Sequence, residues 1–221
     1  MQGLSLFEIV LTAIAFLPPV IFAITVHEVA HGWVAKQFGD PTAFRAGRLT
    51  LNPIKHVDLV GTIIVPIALY YLTNFVFGWA KPVPVAFQNL RNPRRDMVLV
   101  AAAGPGANML MALGWSVLAA VVVLVGGQQT IAGLVIAQMC RYGILVNVLL
   151  ALFNMVPIPP LDGGRVLAGL LPPNGAAILG RIEPFGFIIV LVLLYSQVLM
   201  PFLIPPLVFF VGFFESLGGL R

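Results

Sequence analysis

The chain has 221 residues, 60% of them hydrophobic and only 9% charged, with a net charge of +4. A soluble domain carries roughly 25% charged residues, so this composition excludes an ordinary water-soluble globule and points to a single integral membrane domain, residues 1–221, with no room for an added soluble module. The Lys and Arg residues flank apolar segments, which assigns the positive charge to membrane topology and not to a nucleic-acid partner, and the lone Cys140 excludes an internal disulfide or a cysteine-rich metal site.

In chain order, Leu6 to Lys36 reads as a long apolar helix with Pro18 and Pro19 inside it, a kink that membrane helices tolerate. The segment is far longer than a signal-peptide core and shows no convincing cleavage site, so it is expected to be retained. Gly39-Asp40-Pro41 ends it, and the polar stretch 42–55 follows, in which Arg48 to Leu51 is a candidate short strand. Val57 to Phe77 is apolar but divided by Pro66, and 78–95 is a loop rich in proline and basic residues. Met97 to Val125 and Ile131 to Phe153 read as clear spans joined by the turn Gly126-Gly127-Gln128-Gln129. Asn154 to Gly164 is broken by Pro157, Pro159, Pro160 and two glycines. Glu183 to Met200 is a further span, and Phe202 to Leu217 is apolar, with its crossing left open by Pro205 and Pro206. The expected fold class is an all-α polytopic membrane protein. It has a three-helix core, C-terminal helices, a re-entrant or interfacial segment at about 57–77 and a possible short β element at about 42–55.

The first helix carries His27-Glu28-Val29-Ala30-His31. Two imidazoles and a carboxylate are expensive in hydrocarbon and mark a functional position there. Residues four apart share a helix face, so His27 and His31 can present two nitrogens to one metal ion, with Glu28 placed to act on a bound water. A catalytic zinc typically takes three protein ligands. The other carboxylate in a broken, partly apolar segment is Asp162, and irregular backbone at membrane depth is tolerated where it is buried in protein or lines a wet cavity. The plain alternative is an interfacial loop with a solvated aspartate; coupled to the two-histidine motif, that alternative loses ground.

If Asp162 meets His27 and His31, the chain must return to one side of the membrane. The spans 97–125 and 131–153 make two crossings and cancel, so 57–77 must cross an even number of times. Each half of that segment around Pro66 is about 15 Å long as helix against a core of about 30 Å, which predicts a re-entrant or surface-lying element. Eight of the twelve Lys and Arg residues lie between 36 and 96, which puts that region, and the His27–His31 end of the first helix, on the cytoplasmic side.

Taken together, H-E-V-A-H in a membrane helix, Ala103-Gly104-Pro105 with Asn108 in a later span, and Asn154 followed by Pro160-Leu161-Asp162-Gly163-Gly164 resemble the site-2 proteases, which are intramembrane zinc metalloproteases. Gly47 to Pro53, His56-Val57-Asp58, Gly61-Thr62 and Gly78 to Val85 further resemble a compact prokaryotic branch without PDZ or CBS domains. The resemblance covers roughly residues 20 to 170. It implies one Zn2+ held by His27, His31 and Asp162, with Glu28 as the catalytic carboxylate and Asn154 holding the substrate backbone or the oxyanion. The expected reaction is hydrolysis of peptide bonds in or near transmembrane segments of other proteins by zinc-activated water, with Glu28 as general base and then acid. Its partners would be a transmembrane protein or peptide and the lipid bilayer. It would work in a prokaryotic cell membrane with the active site nearer the cytoplasmic face.

Two other classes compete. A metal-binding transporter would spread its ionisable groups over several half-helices near the midplane, whereas here they concentrate in one triad. A catalytically silent scaffold would lack the base, and Glu28 is present. Among the remaining polar residues, His56 and Asp58 are rival ligands whose plainer reading is an interfacial cap before 57–77. Asn108 and Asn147 read as interhelical hydrogen-bonding groups, with lining of the site the alternative for Asn108, and Arg141 reads as an arginine reaching the outer interface.

Overall fold

The computed structural model describes residues 5–73 and 78–220. The first helix, α1 (Leu6–Gln37), starts at a capping box in which the Ser5 side chain accepts from the Glu8 N–H and Glu8 bonds back to Ser5. A short α2 (Thr42–Arg45) follows, and Asn52 then caps a single tight turn at Pro53–His56. Asp58 caps a wide π-type turn, Leu59–Ile64, that runs into α3 (Val65–Thr73). The extended stretch 78–86 leads to α4 (Pro93–Leu124), which a short turn joins to α5 (Ile131–Asn154). After the proline-rich loop come α6 (Asp162–Leu170), α7 (Pro173–Tyr195) and α8 (Met200–Leu217).

α1, α4 and α5 pack against one another, and α8 lies on α5 and α4. Small residues make this possible. Ala112, Ala119, Ala137 and Cys140 are buried with Ile144, Val148 and Phe214 in one cluster, so backbones approach closely, and the Ser116 hydroxyl donates to the Phe214 carbonyl at 2.7 Å. The opposite faces stay apolar and exposed: Leu6, Leu110 and Leu124 are each at least 70% accessible. In water such faces would be a large liability, whereas in lipid they are matched to their solvent. Among the described residues, five helices, α1, α4, α5, α7 and α8, are long and apolar enough to cross a membrane. The protein is a multi-pass membrane protein.

Two sequence expectations change. Among the described residues there is no strand, and Arg48 to Leu51 is irregular. The stretch is held by side chains and not by a backbone ladder: Arg48 is buried with its guanidinium on the Lys81 carbonyl, and Leu49 lies against Gly32. The fourth long helix begins at Pro173, ten residues before the expected Glu183, because Pro173 in the first helical turn gives up no needed hydrogen bond and has φ preset for a helix.

The segment around Pro66 is short, as expected. Leu59–Leu72 is one apolar helical unit of about 20 Å, less than the roughly 30 Å of a bilayer core. The end of the expected segment, residues 74–77, lies outside the described residues.

Candidate metal centre

His27 and His31 project from α1 four residues apart, and Asp162 is the first residue of α6. Each imidazole Nε2 lies 3.2 Å from Asp162 Oδ2, and the two Nε2 atoms are 3.1 Å from each other. All three side chains are buried. The carboxylate sits at the N-terminal end of α6, where the helix dipole favours negative charge. Gly163 and Gly164 let the loop fold back over that end, since a Cβ on Gly163 would lie 2.2 Å from the Met155 carbonyl oxygen.

α4 forms the wall behind the imidazoles. A Cβ at Gly104 would lie 2.4 Å from His31 Nε2 and 2.6 Å from His27 Nε2, so the helix can back the site only with glycine there. Pro105 next to it is buried inside α4.

The hydrogen bonds decide the tautomers. His31 Nδ1 lies 2.7 Å from the Val100 carbonyl, which can only accept, so Nδ1 carries the proton and Nε2 of the neutral ring presents a lone pair. His27 Nδ1 meets Asn108 Oδ1. The orientation of that amide is set by a chain that ends on backbone: Asn147 Nδ2 donates to the Gly143 carbonyl at 2.8 Å, which turns Asn147 Oδ1 toward Asn108 Nδ2, also at 2.8 Å. Asn108 Oδ1 is thereby left to accept from His27 Nδ1–H. Both Nε2 lone pairs then face a carboxylate oxygen that is itself buried without a hydrogen-bond partner. Three mutually repelling acceptors within 3.2 Å of one another fit a cation between them, and two imidazoles with one carboxylate suit zinc.

Glu28 lies beside His27 on the adjoining face of α1, half-buried, and its Oε2 accepts from the Val83 N–H at 2.7 Å. The Asn154 amide donates at 3.0 Å to the Leu150 carbonyl of its own helix. His56 and Asp58 are not in the cluster: His56 Nε2 pairs with the Thr50 carbonyl at 2.9 Å and caps nothing, whereas Asp58 Oδ1 accepts from the Gly61 N–H at 2.6 Å, the cap expected of it. Arg141 bonds the Leu220 carbonyl and lies 3.7 Å from Glu215, tying α5 to the end of α8.

Residues 115–196 match the model of peptidase family M50. The chain is 43% identical over 190 residues to the "Putative zinc metalloprotease YwhC" of Bacillus subtilis, a match that spans 83% of each protein. The chain belongs to peptidase family M50. It is a zinc metalloprotease. This M50 peptidase is also 29% identical to a relative of the same description, Rip2 of Mycolicibacterium smegmatis, over 81% of this chain and 66% of the relative. To another, MJ0611 of Methanocaldococcus jannaschii, it is 29% identical over 64% of this chain and 62% of the relative. No solved structure matches the chain. The sequence signal in this M50 peptidase led to the histidines and Asp162. It offered Asn108 as a residue that could line the site and Gly104 as a close-packing glycine, but it did not lead to the backbone groups of Val100 and Val83, because main-chain partners leave no residue-type signature.

Proposed function

We propose that His27, His31 and Asp162 hold one zinc ion and that this M50 peptidase cuts peptide bonds in or near transmembrane segments of other membrane proteins. The observation that carries the reading is the convergence of two bare Nε2 lone pairs on a buried, unpartnered Asp162 Oδ2. When bound, zinc supplies Lewis-acid polarisation of the scissile carbonyl and lowers the pKa of water to about 7. Glu28 is the proton carrier: one carboxylate oxygen is held by Val83, and the other is left to take a proton from the attacking water and return it to the leaving amine. His27 and His31 keep their protons on Nδ1 throughout, held there by Asn108 and the Val100 carbonyl. The amide of Asn154 would leave Leu150 to reach a substrate backbone or an oxyanion.

The depth of the site supports a substrate in a transmembrane segment. His27 lies ten residues before the end of the 32-residue apolar α1, about 15 Å along its axis. The basic region 36–96 adjoins this end, which supports a site facing the cytoplasm of a prokaryotic cell membrane. The test is Glu28→Gln in the zinc-loaded, liposome-reconstituted protein. Cleavage of a membrane-embedded peptide should fall about a hundredfold or more with zinc content unchanged, whereas His27→Ala, His31→Ala and Asp162→Ala should each lose zinc. A transporter or a silent scaffold would show no peptide cleavage by the unmodified protein, and full cleavage by Glu28→Gln would remove Glu28 from the mechanism.

A further inference from the structure

The segment that supplies the main-chain donor to Glu28 is itself unusual. The stretch Gly78 to Ala86 is extended and lies along α1, and Val83 donates its main-chain N–H to Glu28 Oε2 at 2.7 Å, a length typical of a hydrogen bond to a charged acceptor. We propose that residues 78–86 form a rigid strap whose one task at the site is to deliver the Val83 N–H to Glu28, making Val83 a positioning residue for the proton-carrying carboxylate. The proposal rests on Glu28 being that carrier.

The local sequence is suited to the task. Pro82 and Pro84 have no N–H, so between Lys81 and Val85 Val83 is the only main-chain donor. Lys81 and Val83 each precede a proline, which steers both toward extended backbone. The strap is therefore stiff before it touches anything, and it carries a single donor at its centre.

Four bonds fix its ends and set the donor's position. The Trp79 N–H reaches the Gly61 carbonyl at 3.0 Å, and the Lys81 N–H reaches the His56 carbonyl at 2.9 Å. The buried Arg48 donates to the Lys81 carbonyl at 2.8 Å, and the Ala86 N–H reaches the buried Asp40 Oδ2 at 2.7 Å. On the α1 side the seat is Gly32, four residues after Glu28 and on its face. A Cβ there would lie 2.8 Å from Val83 Cγ1 and 2.7 Å from Leu49 Cδ2, so glycine is what lets the strap sit this close. His27 and His31 face α4 at Gly104, while Glu28 and Gly32 face the strap. α1 thus presents its ligands on one side and its base on the other, each against a glycine-made close contact.

A glutamate carries close to 2 kcal/mol of side-chain rotamer entropy, and an untethered Glu28 would spend much of its time away from the reacting atoms. A backbone donor holds one oxygen, cannot itself titrate, and leaves the second oxygen for the proton.

The test compares Val83→Pro with Val83→Ala in the zinc-loaded, liposome-reconstituted protein, with a synthetic transmembrane peptide that the unmodified protein cleaves. Both variants shrink the side chain, but only proline removes the N–H, and its neighbours already hold a proline-compatible backbone. Val83→Pro is expected to lose about ten- to a hundredfold in kcat relative to Val83→Ala, the loss expected for one hydrogen bond to a charged group, with KM and zinc content within about twofold. Val83 amide exchange should quicken at least about tenfold in Glu28→Ala, an effect independent of turnover. Equal kcat in the two variants, or loss of zinc in Val83→Pro, would overturn the proposal. If Val83→Pro does not fold, Gly32→Ala takes its place: a fall in kcat with zinc retained supports the strap, and unchanged kcat overturns it. Glu28→Gln is run alongside; if it cleaves normally, the reading of Glu28 has failed, whereas an inactive Glu28→Gln with equal Val83 variants sinks the strap alone.

Discussion

At the scale of single residues, the metal centre depends on where two protons sit. A histidine offers its Nε2 lone pair only if Nδ1 keeps the hydrogen, and each Nδ1 here is held by an acceptor, Asn108 Oδ1 for His27 and the Val100 carbonyl for His31. Asn147 touches neither ring, yet it orients the Asn108 amide through a 2.8 Å bond. Asn147→Ala frees that amide to rotate and offer its NH2 to His27. The expected outcome is a zinc affinity about ten- to a hundredfold weaker, read by competition with a chelator. Asn108 and Asn147 were legible in the sequence as groups that bond between helices. Their direction, and hence the tautomer, was not, because an amide looks the same to a sequence whichever way it faces.

At the scale of elements, close approach and anchoring do most of the work. α4 meets the imidazoles through Gly104, where alanine would put a methyl 2.4 Å from His31 Nε2. Alanine is the better helix former by about 1 kcal/mol, so Gly104→Ala should keep or raise helix stability while abolishing zinc binding, checked by circular dichroism and metal analysis on one sample. The loop after α1 is anchored by Asp40. Burial pushes the Asp40 carboxyl up, but bonds from the Thr42 hydroxyl, the Ala86 N–H, the Asn89 amide and the Thr42 N–H outweigh it and hold it below its ordinary 3.8. A lowered native pKa means the stabilisation is present above the unfolded value and is lost as the pH falls below it. Ala86 amide protection should therefore weaken from about pH 5 to pH 3, and Asp40→Asn should flatten that dependence. The possible strand at 48–51 was misread at this scale because polar, β-compatible residues say nothing about whether a partner strand exists.

At the scale of the molecule, the parity of crossings is decided by where the site closes. Asp162 meets His27 and His31 after the two long helices α4 and α5, and the Leu59–Leu72 unit is too short to span, which predicts that residues 37 and 93 lie on one side. In a Cys140→Ala background, single cysteines at 45 and 79 should label from the same face of sealed vesicles. The last helix follows the same logic. α8 starts near Leu152 and Phe153 at the end of α5 and finishes beside Ser116 and Arg141, so it runs antiparallel to α5.

What the sequence determined by itself was the solvent and the chemistry. Composition required lipid, the four-residue spacing put two imidazoles on one helix face, and a proline-broken segment singled out Asp162. Those features are local, so a linear reading finds them. Tertiary structure alone decided which backbone groups hold the side chains: the Val100 carbonyl on His31, the Val83 N–H on Glu28, and the glycine at 104 that lets α4 close on the ligands. Every residue but proline carries a main-chain donor and every residue an acceptor, so only the packing of distant segments selects the ones that act.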